Sequence, residues 1–249
     1  MKLLLKLRKR SLPGLSERLG FDIRTNNESL AGVVSLDRDK DFSKGVAIGS
    51  ILHTDENSHL EPVRYAEGSG FWRVTMLPFT LGNNIFLRLG RMFGIWFSHP
   101  VDTLRILFVG DWAKRTQILL FMQHLDSTLR FRRGLFGLRT SMVKGSSPTP
   151  FLPEAKELAD KFGSLVKGRA HVLALEPLFG IPSTAHILGG AVMGKDRSEG
   201  VIDNKNRVFG YSNMFVCDGS MISANPGVNP ALSIVAITER AMGFIEDKR

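Results

Sequence analysis

Apolar residues follow two different periods along this chain. Between 31 and 80 they gather in short β-branched or aromatic runs bounded by glycine and turn residues: GVAIGSILHT from Gly45, HLEPVRY after the turn-like DENS, and FWRVTMLPF. These runs predict strands, the first two joined as a hairpin. The third belongs at a sheet edge or ends near Pro78, because proline has no N–H for a central ladder. From 84 to 132 the spacing changes to three and four. Ile85, Leu87, Leu89, Met92 and Trp96, then Leu104, Ile106, Leu107 and Phe108, predict helices interrupted at His99-Pro100. Ala113 to Leu129 is expected to continue the helical section, with Ile118, Leu119, Met122, Leu125 and Leu129 on one stripe. The following RFRRG supplies cations and a glycine stop suited to a helix C-terminus.

KGSSPTP at 144–150 reads as a linker, and Pro153, Glu154 and Ala155 open a helix through about Gly163. The next stretch, ALEPLFGIPSTAHILGG, has little periodicity, and long irregular segments in compact proteins commonly carry function. NKNRVFG and NMFVCDGS predict short strands, the second buried. A final helix starts at Asn229, with Asn229 as its cap and Pro230 where a missing N–H costs nothing. ALSIVAITERAMGFI is apolar on most sides, which predicts a buried helix. Its N-terminus, preceded by Gly227, suits a negative group, although the same features describe a well-capped structural helix.

The chain has 249 residues, 43% of them apolar, enough for one large domain or two small ones. A net charge of +9 favours anionic partners and equally serves solubility. Nucleic acid is not expected as a partner, because no recognition motif or aromatic-basic interleaving on strands accompanies the charge. Cys217 stands alone, which excludes an internal disulfide and a cysteine-only metal cluster; it is expected to be buried and inert, and no metal site is expected. The opening MKLLLKLRKR is broken by Lys6, too early for a secretory core segment, and suits a short basic amphipathic helix on protein or on a membrane surface. Arg91, His99, Asp102, Arg105 and Asp111 interrupt the most apolar region before it could span a bilayer. The expected location is cytoplasmic, with peripheral membrane contact through LKLRKR and RFRRG as the open alternative.

Candidate chemistry lies in the last quarter. Asp218-Gly219-Ser220 ends a strand-like run, where loops often meet ligands. His186 precedes paired glycines that let backbone pass close to something bulky, and an isolated histidine is more often a hydrogen-bonded loop residue than a catalyst. In order, TAHILGG, VCDGS and GVNPALSIVAITERA resemble the C-terminal signature of GMC oxidoreductases of the cholesterol oxidase-like branch. HLEPVRY with GSGFW, MQHLDSTLRFRRG and TPFLPEA resemble substrate-domain pieces of the same branch, so the resemblance covers essentially the whole chain.

The resemblance implies an FAD-dependent alcohol oxidoreductase acting on a sterol or another bulky hydrophobic alcohol. It implies that His186 hydrogen-bonds the substrate hydroxyl and assists its deprotonation while hydride leaves for the flavin. Asn229 would sit at the flavin edge, the amides following Pro230 (Ala231 onward) would face the flavin's pyrimidine end, and Asp218 and Gly219 would lie along its ribityl and phosphate region. Two departures stand out. Where the isomerising members carry a glutamate, GSGFW offers Gly70 and a displaced Glu67, so no isomerase step is expected; Glu61 is expected to pair with Arg64. No strand–GxGxxG–helix pattern for the flavin diphosphate occurs in the chain. The implied partner is therefore a missing FAD-binding domain, without which the chain is expected to bind little FAD and to expose apolar surface on its final helix.

The implied fold class is α+β: an antiparallel sheet with helices on one face over residues 1–185, a substrate-binding domain. Residues 186–249 form a C-terminal segment whose strand and helix would complete an α/β FAD-binding domain. The alternative is an inactive truncated remnant or a basic protein that binds membrane surfaces.

Overall fold

The computed structural model describes residues 1–125, 127–135 and 137–245. Asp126, inside the quoted MQHLDSTLRFRRG, lies outside the described residues, as do Phe136 and 246–249 at the end of the C-terminal segment. The chain folds as α+β in two compact units. The sheet unit comprises Asn27–Gln123 and Thr149–Thr184; the tail unit comprises Met1–Asn26, His124–Pro148 and Ala185–Arg249. One limit falls beside the division expected at 185/186, while residues 1–26 and 124–148 fold with the tail rather than with the sheet.

The sheet unit is built on an antiparallel sheet of six strands among the described residues. They are β1 (Ser29–Ser35), β2 (Leu52–His53), β3 (Ser58–Val63), β4 (Met76–Pro78), β5 (Thr116–Gln123) and β8 (Gly168–Leu173), in the order β2-β3-β5-β1-β8-β4. The expected hairpin forms between β2 and β3, with Leu52 opposite Leu60, although most of GVAIGSILHT stays outside any ladder. FWRVT is a 3-10 turn within Ser69–Thr75, not a strand; the strand is only β4, which lies at the sheet edge and ends at Pro78.

The helix expected over Ala113 to Leu129 is replaced by a short helix α4 (Trp112–Arg115), then β5, then β6 (Thr128–Arg133), so RFRRG belongs to a strand. The reason is double-sided burial. Leu119 and Phe121 pack with Ala31, Val33, Leu60 and Val172 against Leu152, Ala155 and Ala159 at and within the helix α5 (Pro153–Leu165). Ile118 faces the other way, with Met76, Trp112 and Ala113. A strand covered on both faces carries a continuous apolar run, and ILLFM then fits a buried helix as well as it fits a strand.

The helical section upstream holds. Helix α2 (Ile85–Ser98) is capped by the Asn84 side chain, which accepts from the Leu87 amide, and α3 (Pro100–Leu107) follows after His99 alone. The buried stripe of α2 includes Arg88, whose Nε donates to the Pro177 carbonyl at 2.6 Å while the guanidinium lies 4.6 Å over the Phe151 ring. Phe86, Phe93 and Phe97 point outward.

The tail unit has less regular structure. Helix α1 (Lys2–Leu7) buries Leu5 in a core with Leu15, Leu19, Leu188, Ile202, Val208 and Met221, so the basic N-terminal helix packs on its own unit. β6 pairs with β7 (Leu138–Lys144), and the chain returns as α7 (Ala231–Met242). Neither expected tail strand forms a ladder among the described residues: Arg207 bridges Phe215 and Val208 bridges Ile202, each in isolation, and Cys217 is only half-buried. Pro230, not Asn229, is the cap residue of α7, and its own side chain makes no cap hydrogen bond. The helix is also not buried. Ile234 and Ile237 pack against the tail core, while Leu232 is 81% exposed and Val235 55%.

Glu176, in the short helix α6 (Leu175–Phe179), is buried in the sheet unit. Ser183 donates to its Oε1, and Oε2 has no protein partner among the described residues. Burial raises its pKa from the ordinary 4.5 to about 7, with the Ser183 bond opposing the shift. A raised acid stabilises the fold fully below its unfolded pKa and loses that contribution as pH climbs through the folded one. Folding stability attributable to Glu176 therefore falls between pH 4.5 and about 7, by on the order of 3 kcal/mol. Glu176→Gln is expected to flatten the pH dependence of the urea midpoint across this window and to raise it on the alkaline side, measured by circular dichroism.

Candidate functional site

Three segments of the tail unit meet around the backbone at 188–191. On one side Arg24 and Leu188 exchange backbone hydrogen bonds at 2.8 and 2.9 Å, and the Gly20 amide donates to Gly190 at 2.8 Å. On the other, the Gly189 amide donates to the Gly219 carbonyl at 3.0 Å and Ala191 to Ser220 at 2.9 Å. The paired glycines are thus explained by the chain's own crossing. At Gly189, where φ is +77°, a Cβ would lie 1.9 Å from the Asp22 carbonyl oxygen; at Gly190 it would lie 2.6 Å from Ile23 Cδ1.

Gly219 is the next contact point. A Cβ there would meet the Ile187 carbonyl at 3.3 Å and Ile234 Cδ1, from α7, at 3.5 Å, so the DGS turn is seated between the histidine segment and the final helix. Asp218 is exposed and caps this turn: its Oδ1 accepts from the Ser220 amide at 2.9 Å and from the Ser220 hydroxyl.

Asn26 joins the remaining pieces. Its side chain is completely buried, and its Nδ2 lies 3.3 Å from His186 Nδ1 and donates to the Val228 carbonyl at 3.1 Å. The loop before α7 is further held by Asn225, which donates to the Leu125 carbonyl at 3.1 Å and accepts from the Gly227 amide at 2.9 Å. Gly227, at φ +65°, brings this loop against His124, whose Cβ would be 3.1 Å from a substituent. His186 and the residue preceding Asn229 are therefore tied to one amide, with His186 and Asn229 both partly exposed. Pro230 is buried and Ala231, the first residue of α7, is exposed. Nothing in the local sequence TNNES marks Asn26; its role comes from partners 160 and 202 residues away.

In the sheet unit Glu61 is buried on β3, with His59 Nε2 3.5 Å from its Oε1, while Arg64 donates to the Ser43 carbonyl at 3.0 Å. Glu61 thus lies beside His59 on the same strand. Glu67 is taken up by a surface ion pair with Lys114 at 2.8 Å. A cavity of about 610 Å³ lies beside α2, α3 and α5, lined in part by Arg91, Trp96, His99, Lys156, Arg169 and His171. Its charges are largely paired, Arg169 with Asp102 at 3.0 Å and Lys156 with Asp160. Burial lowers the His171 pKa to about 4. Among the described residues no cluster of three or more His, Cys, Asp or Glu side chains is arranged to hold a metal ion.

Residues 169–238, from β8 into α7, match the GMC oxidoreductase family model, and this stretch is a GMC oxidoreductase segment of C-terminal type. It is 41% identical to a cholesterol oxidase of Mycobacterium tuberculosis (strain CDC 1551 / Oshkosh), over 99% of this chain and 44% of that protein. It is 37% identical to a cholesterol oxidase of Acinetobacter baumannii, over 96% of this chain and 44% of that protein. The chain thus spans less than half the length of these curated relatives. Among solved structures, pyridoxine 4-oxidase from Mesorbium loti aligns with a TM-score of 0.44 and 16% identity, over 92% of this chain and 44% of that one.

The crossing at 188–190 generates a test. Gly189→Ala is expected to destabilise the fold by about 3 kcal/mol or more, since both the left-handed backbone and the Asp22 carbonyl resist a methyl group. Gly90→Ala, on α2 with open space around it, is expected to stabilise by about 0.5–1 kcal/mol. Denaturant melts of the two variants should move in opposite directions.

Proposed function

We propose that this chain is the substrate-side and C-terminal portion of an FAD-dependent alcohol oxidoreductase acting on a sterol or a similarly bulky hydrophobic alcohol. The observation that carries the reading is the attachment of His186 and the Val228–Asn229 backbone to the one buried side chain of Asn26, in a chain 37–41% identical along its length to proteins named cholesterol oxidases. A bound flavin would supply the hydride acceptor for oxidation of the C–H bond beside the hydroxyl.

The residues present suit such a group. The first-turn amides of α7 follow Pro230 at a helix N-terminus, where a partial negative charge is favoured. Asn229 and His186, both partly exposed, would hold the alcohol oxygen by hydrogen bonds, and Gly227 keeps the loop backbone tight against His124. Asp218 and Gly219 form the turn beside them. The diphosphate of FAD would be held by a domain not contained in these 249 residues, since no GxGxxG turn occurs in them. The exposed flank of α7, with Leu232, Val235 and Met242, is the surface that such a domain would cover.

Alone, the chain is expected to bind little FAD, read from flavin fluorescence during titration. Mixed with the GxGxxG half of a cholesterol oxidase relative, it is expected to support sterol-dependent bleaching of flavin absorbance. His186→Ala should slow that bleaching by about 10²-fold or more, and an equal rate in the variant would remove the histidine from the mechanism.

One observation favours a second reading, contact with an anionic membrane surface. Phe86, Phe93 and Phe97 lie at seven- and four-residue spacing on the outward side of α2, and Val101, Leu104 and Phe108 are exposed on and just after α3. Between Gly68 and Gly110 four arginines accompany a single acid, Asp102, which is paired with Arg169. Apolar outward stripes among arginines suit a lipid interface. Phe93→Ser with Phe97→Ser is expected to weaken co-flotation with phosphatidylglycerol vesicles at least about tenfold, whereas Lys2→Glu with Lys6→Glu should leave most of it.

A further inference from the structure

We propose that Asn26 sets the tautomer of His186, holding the ring proton on Nε2 so that the imidazole meets a ligand oxygen as a hydrogen-bond donor. The Val228 carbonyl can only accept a hydrogen bond. The Asn26 atom 3.1 Å from it is therefore the amide nitrogen, and the orientation of the amide follows. That nitrogen carries a second hydrogen and lies 3.3 Å from His186 Nδ1. A neutral imidazole has one N–H and one lone pair. With the amide hydrogen directed at Nδ1, the lone pair belongs there and the proton belongs on Nε2. The other tautomer would set two N–H donors against each other beside a side chain that is 0% exposed, at a cost of about 1–3 kcal/mol.

This deepens the proposed function and rests on it for its chemical consequence. A ring protonated at Nε2 donates to an alcohol oxygen and orients it, but in that state it cannot take the alcohol's proton. His186 would then act as the positioning donor for the hydroxyl, and the proton would leave to a different acceptor. The same amide holds the carbonyl before Asn229, so one buried side chain would set both the chemistry of the histidine and the placement of its neighbouring loop. Asn26 is accordingly a positioning residue that acts through His186.

The test is a long-range proton–nitrogen NMR correlation of the imidazoles in the ¹⁵N-labelled 249-residue chain, without flavin, at a pH where the rings are neutral. The His186 signals are identified by their loss in His186→Gln. The expected wild-type pattern is a bare Nδ1 and a protonated Nε2, in about tenfold preference or more. Asn26→Asp keeps the shape but replaces the donor with an acceptor, and it is expected to move the proton to Nδ1; Asn26→Ala is expected to give a mixture. A wild-type ring protonated at Nδ1 would overturn the proposal, as would an unchanged pattern in both variants with circular dichroism matching wild type. If the variants do not fold, the wild-type pattern decides alone. The oxidoreductase reading fails separately, by absence of alcohol-dependent flavin bleaching in the complemented enzyme, whatever the tautomer.

Discussion

The tail unit depends on one backbone crossing. Residues 188–190 run between 20–24 and 219–220, and hydrogen bonds on both sides replace the ladder that this irregular region otherwise lacks. A buried peptide group without a partner costs free energy comparable to a lost hydrogen bond, so a segment with little sheet or helix must pair its groups one at a time. The pairing is only possible because Gly189 and Gly190 bring no side chains into the space held by Asp22 and Ile23. From that crossing follow the position of the DGS turn, the seat of Ile234 against it, and the place of His186 two residues before Leu188.

The sheet unit solves a different problem. Its central strands are covered on both faces, by α5 with its flanking residues on one side and by Met76, Trp112 and Ala113 on the other. Such a sheet needs no alternation of apolar and polar residues, and the β5 sequence shows none from Ile118 to Met122. Polar groups admitted to these interiors keep specific company: Glu61 with His59 on β3, and Glu176 with Ser183. Glu176 accepts only from the hydroxyl and backbone of Ser183 and its Oε2 has no partner among the described residues, so burial outweighs pairing in its protonation.

The polar residues of the tail loops act by position. Asp218 spends its Oδ1 on a turn, α7 opens after Pro230, and Asn26 points one amide at both His186 and the loop before Asn229. Each is a small polar group whose effect depends on where a neighbour holds it. Together they form a loop cluster around a buried asparagine, with apolar residues of α7 exposed.

Much was legible from the residues alone. The break at His99-Pro100, the linker near 144–150, the helix opening at Pro153, the edge position of Pro78 and the order of the three C-terminal motifs are local properties: dihedral restriction, missing donors, capping chemistry and spacing between neighbours in sequence. Only the tertiary structure decided that Ile118 to Met122 is a strand, since an unbroken apolar run reports burial without naming the partner. It likewise decided that α7 keeps an apolar flank in the open, that the paired glycines face the chain's own residues 20–24, and that Asn26 reaches His186 across 160 positions. Periodicity records how often a side chain meets the interior; which atoms it meets there is settled by pairing between segments that are far apart along the chain.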